Sequence, residues 1–239
     1  MAALVHRDAK DTASRFTPTA GGWSVRISPK RTVWVSQPTD GELAISSSTG
    51  NDGVWSTVYE KAVGQLRIED KGTPGPPLMA ATAGSAGTMI SVLTGHTIKR
   101  FSCSPWRKAE TPEETKAEQL EELRALLADA VAGNRLITAG TASKGSKVPG
   151  ISSWHAYAVL GFDATADTVT LRDPHAKEFQ PKGEPGLANG YRIEKGVFDV
   201  PLAQVVEFMG GFAFEQGVAG EEKPDSDEAA SPAQKPSGE

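Results

Sequence analysis

Two side chains eighteen positions apart, His155 and Asp173, have the types needed for joint acid–base chemistry. They sit in the segments Trp154-His-Ala-Tyr-Ala-Val-Leu-Gly-Phe-Asp163 and Thr168-Val-Thr-Leu-Arg-Asp-Pro-His175. Each segment alternates or runs apolar like a strand, and Asp163 to Thr168 supplies a turn between them. If the hairpin folds back near Ala164 or Thr165, the numbers of facing residues sum to about 328 to 330, and His155 with Asp173 gives 328. Facing residues of an antiparallel ladder project from the same side, with Cβ atoms roughly 4.5–5.5 Å apart. A carboxylate placed there fixes the ring's orientation and tautomer and stabilises imidazolium, the work of the third member of a catalytic triad. The same residues also fit a purely structural reading. In that case His155 merely opens a strand and Asp173, ahead of Pro174, merely starts a turn; a slip of one residue sends one partner to the other face.

The elements that must position this pair are legible on both sides of it. Trp23 to Ile27 and Thr32 to Ser36 alternate apolar and polar side chains around Ser28-Pro29-Lys30, which predicts an early hairpin. Trp55, Val58, Tyr59, Ala62 and Leu66 fall at steps of three or four on one helical face, with Asn51 or Asp52 available as a cap. Residues 71 to 95 are rich in Gly, Pro, Thr and Ala and read as loop, with a short helix around Met89 to Leu93. The clearest helix lies between Pro112 and Gly133. Thr111 is its expected cap, Pro112 its first residue, Glu114 the capping-box partner, and Leu120, Leu123, Leu127 and Val131 its buried stripe. Arg135 to Ala139 then reads as a strand, followed by a polar loop. Residues 1 to 20 read as an irregular lead-in, residues 21 to 216 as the folded unit, and residues 217 to 239 as a disordered acidic tail, because from Glu221 onward no large apolar side chain is present.

Composition narrows the class. The 239 residues carry 25 Lys+Arg against 30 Asp+Glu, a formal charge of −5, and no basic stripe, so nucleic-acid binding is not expected. No run approaches the roughly 20 apolar residues of a membrane span. The charged N-terminus lacks the apolar stretch of an export signal. A single cysteine, Cys103, excludes an internal disulfide and favours a reducing, cytoplasmic setting. With 25 Gly and 16 Pro the chain suits short strands and many turns, and the expected class is α+β with a mostly antiparallel sheet and flanking helices. Four histidines without CxxC or HExxH spacing form no zinc signature; His96 reads as a loop residue and His6 as part of the lead-in.

The stretch HAYAVLGFD…DTVTLRDP resembles the His- and Asn-bearing hairpin of the calpain-type cysteine proteases. Gly53-Val-Trp-Ser-Thr-Val-Tyr-Glu-Lys-Ala62 resembles a helix of that core, and LLADAVAGNRLITAGTAS (126 to 143) the helix-to-strand passage before the catalytic His. Phe198 to Phe208 with Gly211 to Glu215 resembles its closing helix and strand. The resemblance covers roughly residues 15 to 216 in the family's order. It implies a papain-like, calpain-like C-terminal subdomain that supplies His155 and, at the Asn position, Asp173. The family's nucleophilic Cys belongs to a preceding subdomain, of which residues 1 to 20 would be the remnant; its Gln…Gly…Cys-Trp stretch does not occur in this chain. The family's Trp after the Pro is His175 here, a change expected to leave the His–Asp contact wetter and weaker.

Three functional readings follow. In the first, the chain is the His/Asp half of a cytoplasmic cysteine endopeptidase, a thiol protease acting on peptide or protein substrates. A Cys-bearing partner subdomain then attacks the carbonyl, and Trp154, beside His155, is the residue of interest for the substrate cleft. In the second, the module is catalytically dead and binds peptides or proteins. In the third, Cys103, His155 and Asp173 form a transglutaminase-like acyl-transfer set; against it, Cys103 lies in Phe101-Ser-Cys-Ser-Pro-Trp106, away from any helix N-terminus. No cofactor is required by the residues. Calcium enters by resemblance only, with oxygens near Asn51-Asp52 and Glu184 and no assigned ligands.

Overall fold

The computed structural model describes residues 1–46, 53–81, 84–141 and 147–218. The chain opens with two short helices, α1 (Ala2–Arg7) and α2 (Ala9–Ser14), and then a three-stranded antiparallel sheet of β1 (Phe16–Thr19), β2 (Gly22–Ser28) and β3 (Arg31–Ser36). Helices α3 (Asp40–Ile45), α4 (Trp55–Lys71), α5 (Pro77–Ala80) and α6 (Ala86–Thr94) follow. After them come β4 (His96–Ser102), α7 (Glu113–Ala132), β5 (Ile137–Thr141), β6 (Ala156–Asp163), β7 (Thr168–Arg172), β8 (Val197–Pro201), α8 (Leu202–Phe208) and β9 (Met209–Val218). The larger sheet has the order β4-β9-β5-β6-β7-β8, with every pairing antiparallel. The architecture is α+β, with mostly antiparallel sheets and flanking helices. Among the described residues no helix is long and apolar enough to cross a membrane.

Alternation along the strands fills two faces of the larger sheet. Phe212 and Phe214 of β9 join Tyr157 of β6 and Leu171 of β7 in one core, closed by Leu123 and Leu127 of α7 and Leu202, Val205 and Val206 of α8. Ala213, between the two phenylalanines, belongs to the opposite face with Leu136, Ile90 of α6 and Leu4 of α1. Helix α6 serves two cores, because Leu93 packs with Val25, Ile27, Val33, Val35 and α4 on the small sheet. Gly64, in the middle of α4, lets the chain at α5 approach closely: a Cβ there would lie 1.6 Å from the Pro77 carbonyl oxygen.

Several expectations change. Residues 1–20 are not irregular: α1 buries Leu4, β1 pairs with β2, and Arg7 Nη1 donates to buried Glu215 at 2.8 Å. His96 opens β4, its Nδ1 lying 2.7 Å from Glu215 Oε1. Pro112, not Thr111, caps α7, and no side chain satisfies that cap. The stripe of α7 runs Leu123, Leu127 and Ala130, while Val131, one residue round the helix, is exposed. Residues 198–201 form a strand rather than the start of the closing helix. The candidate cap Asn51 or Asp52 and the tail from 219 onward lie outside the described residues. Arg124 of α7 grips Asp167 in the β6–β7 turn with two nitrogens, at 2.9 and 2.8 Å, tying the hairpin tip to the helix.

Lys61 of α4 is buried, its ammonium held by Glu42 at 2.9 Å, Ser36 Oγ at 3.1 Å and the Gln37 carbonyl at 3.4 Å. Burial works against ionisation of Glu42, but the Lys61 ammonium and the Thr39 N–H together outweigh it and hold its carboxyl below the ordinary 4.5. The stabilisation is therefore present above that value and is lost as pH falls through the lower folded one. Glu42→Gln leaves the buried ammonium short of a counter-charge and is expected to cost about 1–3 kcal/mol at neutral pH. Chemical denaturation at stepped pH checks this: the gap between wild type and variant closes as the medium is acidified below the ordinary 4.5 and through the lower folded value.

Candidate active site

His155 and Asp173 both lie one residue outside the ordered ladder, His155 before β6 and Asp173 after β7, at the same end of the sheet. Near the turn the register pairs Asp163 with Thr168 and Phe162 with Val169; beyond a bulge between Val159 and Gly161 it pairs Val159 with Leu171 and Ala158 with Arg172. One extra residue on β6 changes the parity of the pairing. Without it Asp173 would fall in line with Ala158 and share that residue's face, while His155 would point the other way. With it, Asp173 comes opposite Tyr157, and His155, two residues along on the same face, reaches it diagonally. His155 Nε2 is 3.0 Å from Asp173 Oδ1. The expected direct pairing is thus a diagonal one.

The acid is fully buried and built in from its main chain. Its N–H donates to the Gly196 carbonyl at 2.8 Å, its carbonyl accepts from Ala176 N–H at 3.1 Å, and Oδ1 also accepts from His175 N–H at 2.8 Å. Gly196 has φ +81°, and a Cβ there would lie 2.6 Å from the Asp173 carbonyl oxygen, so the approach needs glycine. Oδ2 is buried without a hydrogen-bond partner among the described residues. A carboxylate only accepts, so the bonded Nε2 carries the ring proton in neutral His155 and Nδ1 keeps the lone pair. Nδ1 has no hydrogen-bond partner among the described residues, and it is the atom able to take a proton from a substrate or nucleophile.

Aromatic groups enclose the ring. His175 stacks on it with centroids 5.0 Å apart and planes at 27°, and Tyr157 meets it edge-on at 5.0 Å. The His155 side chain is 15% exposed and that of Asp173 0%, so the contact is dry, contrary to the expectation for a chain lacking the family's Trp. His175 occupies the face that would otherwise be wet. Burial, with the nearby Asp173 charge as a smaller contribution, pushes the Tyr157 hydroxyl up to about 12 even though it accepts the Ser152 N–H at 3.0 Å. That hydroxyl therefore stays neutral and acts as a prop. Trp154 precedes the His with φ +52°, a region unusual for a bulky residue, and is 78% exposed.

Cys103 is placed elsewhere. It is fully buried, directly follows β4 and caps a 3₁₀ turn, Ser104–Arg107, rather than an α-helix. Its N–H bonds Gly210 of β9, whose neighbour Met209 pairs with Thr141 of β5, which in turn bonds His155. Three strand spacings separate the two residues, roughly 14 Å between backbones. Direct proton transfer between Cys103 and His155 is therefore out of reach, and the Cys103-based acyl-transfer set is not assembled. Among the described residues no group of three His, Cys, Asp or Glu side chains is arranged to hold a metal ion; Asn51 and Asp52 fall outside them.

Tyr157 was legible in principle, since alternation puts it on the face of His155. His175 as a stacking partner and Gly196 as the acid's support were not, because both depend on how residues 173 to 196 loop back. Comparison with protein-family models and with curated proteins finds no match to the chain. With Cys103 sealed in the core, the folded protein should react with iodoacetamide at least about a hundredfold more slowly than the unfolded chain, as mass spectrometry of timed aliquots will read; rapid labelling of folded protein would contradict this placement.

Proposed function

We propose that this chain supplies the His/Asp half of a calpain-type cysteine endopeptidase, with the nucleophilic thiol brought by a separate segment or partner subdomain. The observation that carries the reading is the 3.0 Å contact of His155 Nε2 with a fully buried carboxylate, which leaves Nδ1 as the base. In the complete site Nδ1 takes the thiol proton, and the thiolate attacks the peptide carbonyl. The imidazolium, steadied by Asp173, returns that proton to the departing amine. The ring then takes a proton from the water that hydrolyses the thioester. The ordered resemblance of residues 15 to 216 to the calpain core supports the same assignment, including a papain-like arrangement of the subdomain. Trp154, exposed beside the base, offers an apolar surface to a substrate side chain.

A second reading, a binding module without catalysis, is favoured by one observation: the only thiol of the chain is buried. Reconstitution separates the two. Combined with a Cys-bearing calpain-type subdomain, the chain is expected to cleave an unfolded protein substrate. His155→Ala should lower kcat by about 10²–10⁴-fold, the usual worth of a positioned general acid–base. Trp154→Ala should raise KM several-fold at nearly constant kcat, and Cys103→Ala should leave kcat unchanged in whatever fraction folds. Peptide binding without cleavage, unaltered by His155→Ala, would establish the binding module instead.

A further inference from the structure

We infer that Thr141 is a positioning residue, whose hydroxyl sets the angle at which His155 meets Asp173. Where the β5–β6 ladder would add its next pair after Gly140 and Ala156, only half of it is made by main chain: Thr141 N–H donates to the His155 carbonyl at 2.9 Å. The other half is supplied by a side chain, with His155 N–H donating to Thr141 Oγ1 at 2.9 Å. The hydroxyl has one proton to give. It faces the Ser152 carbonyl at 2.9 Å and the His155 carbonyl at 3.2 Å, and the latter already holds the Thr141 N–H. Oγ1 therefore bridges Ser152 and His155, the two ends of the turn that forces Trp154 to φ +52°.

The contacts around the turn make that bridge the controlling one. The turn is pinned from below by Ser152 N–H on the Tyr157 hydroxyl at 3.0 Å, and from its exposed side by Lys177 Nζ on Ser152 Oγ at 2.7 Å. Both hold Ser152, and neither bonds the main chain of His155. The main chain of His155 is fixed through Thr141 on one side and its own strand on the other. Deleting the hydroxyl takes its partner from the His155 amide and from the Ser152 carbonyl, at the two ends of a turn that already carries a left-handed residue, and water can satisfy both only if the turn opens. A ring reaching its acid diagonally over a single 3.0 Å contact tolerates little such movement.

The inference takes the His155–Asp173 pair from the reading above, but its test uses the chain alone and needs no proteolysis, so failure of either leaves the other standing. Uniformly ¹⁵N-labelled protein is examined at about pH 8, where imidazole is normally neutral, by long-range ¹H–¹⁵N correlation of the histidine rings, with His155 assigned from a His155→Gln spectrum. Wild type is expected to show His155 as a single Nε2–H tautomer whose ring proton exchanges slowly. Thr141→Val, nearly the same shape without the hydroxyl, is expected to mix the tautomers and speed that exchange at least tenfold, while Thr141→Ser restores both within twofold. Thr141→Ala, too small to crowd the turn, gives the same reading should valine disturb folding. A folded Val or Ala variant with the wild-type His155 spectrum, or a Ser variant that fails to restore it, overturns the assignment.

Discussion

One surplus residue in a strand governs the site. The ladder leaving the β6–β7 turn has a parity that would send His155 and Asp173 to opposite faces; the bulge between Val159 and Gly161 reverses it. Everything polar at that end of the sheet presupposes the reversal. The diagonal contact, the edge-on Tyr157 and the stacked His175 all need the imidazole on the face that carries the acid. The tip of the same hairpin is held against α7 by the two-pronged grip of Arg124 on Asp167, so the reversal is anchored at one end and used at the other.

Burial then sets the chemistry. A carboxylate without exposed surface interacts more strongly with its neighbours than one in water, and it also tolerates unpaired lone pairs poorly. Asp173 meets this with His155 and the His175 N–H on one oxygen and, among the described residues, no hydrogen bond on the other. The acid is consequently invested in the ring of His155, whose remaining nitrogen has no hydrogen-bond partner among the described residues. Protection comes from a second imidazole lying over the first. A site thought of as weakened by the loss of a tryptophan is instead closed by the residue that replaces it.

Much of this was readable from residue order. The two hairpins, the helices at 55–71 and 113–132, and the meeting of His155 with Asp173 follow from alternation and helical spacing, which are local properties. The bulge has only a faint trace, a lone glycine, Gly161, inside an otherwise apolar strand. Residues 1–20 looked irregular because short helices are held by what they pack against, here the sheet under Leu4 and the Glu215 carboxylate, rather than by their own composition. Thr141 and Gly196 carry no local signal. Their roles arise from strands and loops that come alongside His155 and Asp173 only in three dimensions.

The position of the sole sulfur has a consequence for how the protein meets an oxidant. Joining two molecules through a disulfide requires both to open first, since Cys103 is fully buried in the core cluster that includes Phe101 and Leu123. While the fold stays closed, Cys103 presents no thiol to an oxidant. A disulfide-linked dimer, wherever one is found, marks a core that has opened and lasts until it is reduced.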